Sequence, residues 1–262
     1  MNIYPINTYI PNETSQIRFT SCTRIYSTKN IKMDIFSGSK VRTTSSPFRN
    51  DQDWNFLFEH ILWSFLNKRK VNIYSLGCSD GSEPYTYAMF LKSKTPETYY
   101  KKFTPIIACD IDPEMIKIAK SGKINLYKDD IDNMKIYLKH IDQYIKKVGA
   151  PIKIKNNVSF NENAYEIDPE IRKMVQFKKS DILTELKNIN DEGNTVVNIR
   201  NVFPYLNSTY IDKVLETLAE KLKSGSIFVF GAYDHRVPNF RKRLHDLGFY
   251  SPVMNCNFVQ KK

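Results

Sequence analysis

Two carboxylates that follow short runs of strand-forming residues are the first candidates for chemistry in this chain. Residues 71–76 (VNIYSL) read as a strand ending at Gly77, and the segment Gly77-Cys78-Ser79-Asp80-Gly81-Ser82-Glu83 follows, with two glycines that let backbone approach a ligand. The loop has neither the GxGxxG spacing of a dinucleotide fingerprint nor the GK[ST] of a P-loop. Glu83 precedes a helix expected over 84–92, where its carboxylate suits a ligand ammonium; a helix N-terminal carboxylate favoured by the macrodipole is the other reading. Asp110 ends the next strand, expected over 104–109 (TPIIAC), and an acidic side chain at that place accepts both hydroxyls of a ribose. Asp110 and Asp112 equally suit capping of the helix expected over 113–121 and stopped by Gly122.

Other reactive side chains point to less. Cys22, Cys78, Cys109 and Cys256 form no CxxC pair and are accompanied by only 4 histidines, so neither a disulfide framework nor a metal site is expected. Cys78 and Cys109 read as small buried residues. His235 beside Asp234 lacks an accompanying nucleophile motif and reads as part of a polar strand-end loop.

The elements that must position these groups alternate strand and helix, which predicts a parallel sheet with right-handed crossovers. Further strands are expected at 174–179, 195–199 and 226–230, with a helix over 210–223 before the last and Gly225 at its end. Ahead of the sheet, residues 51–67 put Trp54, Leu57, Phe58, Ile61, Leu62 and Phe65 on one helical stripe, with acidic residues in the first turn. Residues 131–148 predict an amphipathic helix with Met134, Tyr137, Leu138, Ile141, Tyr144, Ile145 and Val148 inward, and 152–160 a hairpin around Asn156-Asn157. A helix over 239–247 and strands at 250–254 and 257–260 close the chain. Residues 1–47, with Pro5, Pro11 and Pro47 and one strand-like stretch at 16–20, read as an irregular N-terminal arm before a domain of 48–262 that carries a small β-insertion at about 151–167.

At 262 residues the chain is ample for a continuous core, and hydrophobic residues at 41% with charged residues at 26% exclude disordered, collagen-like and coiled-coil classes. No apolar run reaches the length of a membrane span and the first residues do not read as a secretory signal, so the expectation is a cytoplasmic protein without membrane insertion. The net charge of +11 comes from scattered lysines, which suits a solvated surface more than a stable nucleic-acid partner.

Read together, five segments resemble the chemotaxis receptor methyltransferases of the CheR type, in collinear order from about Ser45 to Asp234. They are PFRND at 47–51, similar to the family's FFRD; DGSEPYTYAM at 80–89, similar to its EPYSIAM segment; ACDID at 108–112, similar to ATDID; FKKSDIL at 177–183; and IRNVFPYL at 199–206, similar to CRNVxIYF. The resemblance implies a Rossmann-like, seven-stranded class I methyltransferase sheet with an antiparallel C-terminal hairpin. It implies S-adenosylmethionine as donor, S-adenosylhomocysteine as product, and a glutamate carboxylate of a chemoreceptor cytoplasmic domain as acceptor, with the enzyme acting as a monomer. Other acceptors, or a degenerate member that only senses the donor, are the rival readings.

Carried over residue by residue, the resemblance assigns the donor's amino group to Glu83, the ribose to Asp110, and the adenine to Asp181 with neighbouring backbone. Asn201 and Val202 would line the methionine side, and Ser45, Arg49, Gly77, Ser79, Ile111 and Ile182 complete the expected donor site. Arg49 and Tyr205 are the expected catalytic pair: a guanidinium fork holds a carboxylate and a tyrosine hydroxyl fixes one oxygen. The sequence departs from the family in Pro47 before Phe48, in Pro204 for an aliphatic residue, and in the irregular arm where members carry a helical domain.

Overall fold

The computed structural model describes residues 45–152, 163–253 and 256–262, together with the backbone of 25–26 and 41–42, which pair as a short antiparallel ladder. The strand expected at 16–20 and all but the start of the hairpin expected at 152–160 lie outside the described residues.

Helix α1 (Trp54–Ser64) starts where Asp53 accepts from the Phe56 N–H at 3.0 Å. The acidic residues expected in its first turn therefore precede it, one of them as cap. Its apolar stripe buries Trp54, Leu57, Phe58 and Ile61, and Phe65 follows them into the core, with Leu62 only partly covered. Strand β1 (Asn72–Leu76) leads through the glycine-bearing loop into α2 (Ser82–Lys94), a helix buried along most of its length. β2 (Ile106–Asp110) follows, then α3 (Pro113–Ser121), capped by Asp112, whose carboxylate accepts from the Glu114 N–H at 2.8 Å. The capping reading of Asp112 is the observed one.

The chain then leaves the main sheet. β3 (Lys123–Leu126), α4 (Lys128–Tyr137), β4 (Ile145–Gly149) and β5 (Asn163–Ile167) build a three-stranded antiparallel sheet in the order β3-β5-β4. The single helix expected over 131–148 is corrected here: it ends at Tyr137, His140 takes a left-handed φ of 55°, and 145–149 pair with β5. Tyr144 and Ile145 are buried as expected, whereas Val148 is 44% exposed. An apolar pattern without Gly or Pro looks helical until a strand partner claims it, and β5, far along the chain, is that partner.

After α5 (Pro169–Lys173) the main sheet resumes with β6 (Val175–Lys179), α6 (Ile182–Lys187), β7 (Thr195–Asn198), α7 (Ser208–Lys221), β8 (Ile227–Val229), α8 (Phe240–Asp246), β9 (Phe249–Tyr250) and β10 (Phe258–Lys261). Its order is β9-β10-β8-β7-β1-β2-β6; the five strands from β8 to β6 are parallel, and β10 runs antiparallel to both β8 and β9. The expected seven-stranded sheet with a closing hairpin is thus observed, the hairpin strands shifted by one residue or more from their expected starts. Helices on both faces divide the apolar side chains into two clusters, one around α1 and α2 and one around α6 and α7.

β1, β2 and β6 succeed each other to one side and β7 returns to the other flank of β1, so the switch point lies between β1 and β7, where parallel sheets open a crevice for ligands. Its support is the aromatic packing beneath α1: Phe58 stacks on Phe90 with ring centroids 4.0 Å apart. Phe58→Ala is expected to cost about 3–5 kcal/mol of stability, read as a lower urea midpoint with an unchanged m-value.

Candidate functional site

The crevice between β1 and β7 is narrow because of Gly77. With φ at +80° and a Cβ position only 2.9 Å from Val202 Cγ2, that residue tolerates no side chain, which keeps the β1 loop against the β7 loop. Ser79 also takes a left-handed φ, of 50°, and its N–H donates to Asp110 Oδ2 at 2.8 Å. Asp110 Oδ1 accepts from the Asp112 N–H at 2.9 Å. Asp110 therefore organises the loops after β1 and β2, and burial pushes its pKa up to about 6 against those hydrogen bonds. Ile111 follows it half-buried at the crevice edge.

Glu83 lies inside the first turn of α2, one turn above β1. Its Oε1 accepts from Ser75 Oγ at 3.0 Å and its Oε2 meets Arg200 Nη1 at 3.2 Å. Arg200, at the carboxyl end of β7, has a side chain only 3% exposed; its other nitrogen meets Asp51 Oδ1 at 2.5 Å and its guanidinium lies 4.7 Å from the Trp54 ring centroid. Burial raises the Glu83 pKa while Arg200 and Ser75 oppose it; burial also works against Asp51, but Arg200, Arg49, the Ala232 N–H and Asn201 hold Asp51 below the usual carboxylate range. Arg49 is thus close enough to act on both carboxylates. It follows Phe48, a fully buried residue with φ of 47° whose N–H donates to Thr86 Oγ1 at 3.1 Å and whose ring stacks on Tyr137, and its own carbonyl accepts from Trp54 Nε1 at 3.0 Å. A bulky residue held in the left-handed region marks a backbone that its surroundings over-determine.

Asp51 also fastens the loops beyond β7 and β8: its Oδ2 accepts from Asn201 Nδ2 and from the Ala232 N–H, each at 3.1 Å. Asn201, left-handed at φ 58°, accepts with Oδ1 from the Tyr233 N–H at 2.9 Å, and its side chain fills the place of a Cβ at Gly231. Beneath it, fully buried Asp234 accepts from four backbone N–H groups, those of Gly231, Asn201, Val202 and Phe203, between 2.7 and 3.1 Å. Burial raises its pKa to about 7 and these donors oppose the rise.

The structure therefore brings Arg49, Glu83, Gly77, Ser79, Asp110, Asn201 and Val202 to one rim, but not all with free side chains. Asn201 turns its side chain into the Asp51 latch. Asp181 caps α6 by accepting from the Thr184 N–H and also accepts from Tyr210 Oη, so its carboxylate is engaged, and Ile182 is buried behind it. Tyr205 stands half-buried in a short 3-10 turn after β7, and Ser45 lies half-buried ahead of Phe48. Cys78 and Cys109 are buried thiols with raised pKa values, as small core residues should be. Among the described residues no cluster of His, Cys, Asp or Glu suits a metal ion, and no helix is long and apolar enough to cross a membrane.

Sequence reading missed three residues that build this site. Asp51 and Arg200 entered only as letters of PFRND and IRNVFPYL, and Asp234 only beside His235 in a polar strand-end loop. The available signal was placement: each charge directly follows, or shortly precedes, an element whose end lies on the rim.

Removing Arg200 strands two buried carboxylates. Arg200→Met is expected to lower stability by about 3–5 kcal/mol, and Asp51→Asn in the same chain to restore part of it, both measured by urea unfolding followed by circular dichroism.

The profile described as CheR methyltransferase, SAM binding domain, matches residues 43–246. A chemotaxis protein methyltransferase of Listeria monocytogenes is 25% identical over 203 residues, 77% of this chain and 68% of that protein. One of Borreliella burgdorferi is 28% identical over 191 residues, 70% of this chain and 61% of that protein. Among solved structures, the magnesium protoporphyrin IX methyltransferase of Synechocystis with bound SAM aligns over 79% of each chain at 12% identity, with a TM-score of 0.39. At the switch point of the sheet Gly77 lets backbone approach closely, and the buried carboxylates of Asp110 and Glu83 stand on the two sides of the loop that contains it. The chain belongs to the CheR methyltransferase family, SAM-binding domain, and its cofactor is S-adenosylmethionine.

Proposed function

We propose that this chain, acting in the cytoplasm as a monomer, methylates a glutamate side-chain carboxylate on a chemoreceptor cytoplasmic domain. The carrying observation is Arg49: it is held by buried Phe48 beside the rim where Arg200, Asp51 and Glu83 converge, so a second guanidinium stands next to the donor crevice. The relatives' names, chemotaxis protein methyltransferase, supply the acceptor class. The division into an arm of 1–47 and a methyltransferase domain of 48–262 belongs to the same proposal.

Bound S-adenosylmethionine supplies a methyl group on a positively charged sulfur; transfer forms a C–O bond to the acceptor and breaks the C–S bond, whose electron pair stays on sulfur in S-adenosylhomocysteine. A carboxylate nucleophile is already anionic, so the protein need not hold a general base. Arg49 orients the acceptor carboxylate in its guanidinium plane, and Tyr205 fixes one oxygen. Glu83 takes the donor's ammonium with acceptor capacity left beside Arg200 and Ser75. Asp110 takes the ribose hydroxyls. Gly77 and Ser79 offer backbone to the donor, with Val202 against its methionine portion. Because the side chains of Asp181 and Asn201 are engaged elsewhere, their part is played by backbone, next to Ile182 for the adenine and at the β7 end for the methionine portion.

Labelled-methyl transfer to a chemoreceptor cytoplasmic fragment tests the reaction. Label released by mild alkali supports a carboxylate ester, and alkali-stable label overturns that acceptor.

Two further outcomes follow from the assigned roles. A carboxylate accepts hydroxyl hydrogen bonds better than a carboxylic acid does, so donor binding favours ionised Asp110 and expels its proton. With the free group titrating at about 6, the donor Kd is expected to be flat above that pH and to rise below it, by up to about tenfold per pH unit; Asp110→Asn should weaken binding and flatten this branch in calorimetric titrations. Arg49→Lys keeps the charge and loses the bidentate plane, so turnover should fall as far as in Arg49→Ala while donor affinity and melting temperature stay near the parent's. A large drop in melting temperature with turnover intact would instead make Arg49 a structural ion-pair partner.

A further inference from the structure

The end of the main sheet opposite the rim joins an exposed tryptophan to a band of basic residues. In a parallel sheet the residues just before each strand share one end, and because β10 runs antiparallel to β8 its last residues join them there. Lys68, Arg69 and Lys70 precede β1, Lys101 and Lys102 precede β2, and Lys223 precedes β8; all but the half-buried Lys102 are exposed. Exposed acids at this end are fewer: Glu97, paired with Lys101 at 2.9 Å, Glu192 and Glu220. Asp191 is buried, its carboxylate turned to Ser226 Oγ and to the N–H groups of Asn194 and Lys223. The band is continuous. Lys102 Nζ donates to the Phe65 and Leu66 carbonyls at 2.8 and 3.2 Å, Lys70 Nζ to the Thr104 carbonyl, and Lys68 Nζ to the Glu192 carbonyl at 3.1 Å, next to the Asp191 that holds Lys223.

Two large apolar side chains stand at the edge of this band. Where α1 ends and the chain turns towards β1, Phe65 is buried, whereas Trp63 is 74% and Leu66 50% exposed. The Leu66 N–H donates to the Trp63 carbonyl at 3.3 Å and Lys102 holds the Leu66 carbonyl, so the turn that presents both side chains is fixed to the basic band. The exposed carboxylate of Glu59 lies one turn further from this end on α1. A single exposed leucine is ordinary, but an indole and a leucine on one turn beside several cations fit a partner that is anionic at its face and apolar beneath it. Nucleic acid would meet the cations with phosphates and leave Leu66 in water. An anionic bilayer satisfies both: headgroup phosphates meet the ammonium and guanidinium groups, and the ring and the leucine enter the boundary with the acyl chains.

We propose that this face is a peripheral docking surface for an anionic lipid bilayer, with Trp63 and Leu66 entering the interface and Lys68, Arg69, Lys70 and Lys223 meeting the headgroups. The chain lies on the bilayer and does not cross it. The rim is at the other end of the parallel strands, so a docked chain turns its donor crevice away from the lipid and towards the aqueous side. The inference stands on charge, exposure and topology, and does not depend on which acceptor is methylated.

Vesicles of phosphatidylcholine with one third phosphatidylglycerol, set against vesicles of phosphatidylcholine alone, test it with the full chain at physiological salt. Co-sedimentation with the anionic vesicles only is expected, together with a blue shift of tryptophan emission. The chain has 2 tryptophans and Trp54 is buried, so the shift reports Trp63 and should vanish in Trp63→Phe. The Arg69→Glu, Lys223→Glu double variant should bind the anionic vesicles about thirtyfold more weakly, or worse. Lys146→Glu with Lys147→Glu makes the same change of net charge on the small antiparallel sheet and should bind nearly as the parent does. If the first double variant does not fold, Arg69→Glu alone should still weaken binding about fivefold or more. No binding to anionic vesicles, an equal loss in both charge-reversed variants, or binding without a change in Trp63 emission overturns the surface. So does retention by single-stranded RNA with no retention by vesicles, which would assign the band to nucleic acid.

Discussion

One guanidinium holds three parts of the chain together. Arg200 emerges from the end of β7, reaches Glu83 on α2 and Asp51 ahead of α1, and lies over Trp54. Arg200 is more than a hundred positions from each of the others in sequence, and among the described residues no backbone ladder joins the segment before α1 to the sheet at this point. A buried ion pair is a poor source of net stability, because removing both charges from water costs several kcal/mol per ion. Its value here is geometric. Two carboxylates share one buried cation, so the cluster alone is short of one positive charge, and Arg49 acts on both acids from outside. With Arg49 included the four charges balance, and the cluster makes the position of the Phe48–Asp53 segment, hence of Arg49, depend on β7.

Asp234 does the complementary work through backbone donors, with Arg200 acting on it only at longer range. Four converging N–H groups form a concave anion site within the protein's own backbone, and the carboxylate that fills it fixes the loop after β7 against the loop after β8. Gly231 is required because the Asn201 side chain occupies the space of its Cβ, and Asn201 in turn is required to bridge Asp51 to the Tyr233 N–H. The left-handed backbone at Asn201 is the local cost of this arrangement, tolerated because asparagine visits that region more readily than most residues do. Rim geometry is therefore set by polar contacts between loops, while the sheet beneath is set by apolar burial.

That division explains what could be read in advance. The β-α alternation, the stripe of α1 and the Asp112 cap follow from local patterns, and they are observed. The 131–148 segment was misread because its second half owes its strand form to β5, a partner about twenty residues away that periodicity does not see. At the rim, motif resemblance found Arg49, Glu83, Asp110 and Asn201, yet it could not tell which side chains turn to the crevice and which are consumed by latches. Asn201 and Asp181 are consumed. Asp51, Arg200 and Asp234 went unrecognised because a charged residue in a short loop looks solvent-facing until the loops opposite it are in place.

The charge distribution connects these observations. The chain carries a net charge of +11, but its rim gathers Asp51, Glu83 and Asp234 around Arg200. Lysines such as Lys117, Lys120, Lys146 and Lys147 lie exposed away from it, on α3 and on the small antiparallel sheet. A positive exterior raises the encounter rate with an acidic polypeptide over distances up to about a Debye length, ~8 Å at physiological salt. Once the partner has arrived, exterior charge no longer discriminates one carboxylate from another. Local fit at the rim then decides, and there Arg200 is already consumed by Asp51 and Glu83, which leaves Arg49 as the guanidinium proposed to meet the acceptor. The Asp51 latch, which holds the segment carrying Arg49 in place, thus ties that fit to the end of β7.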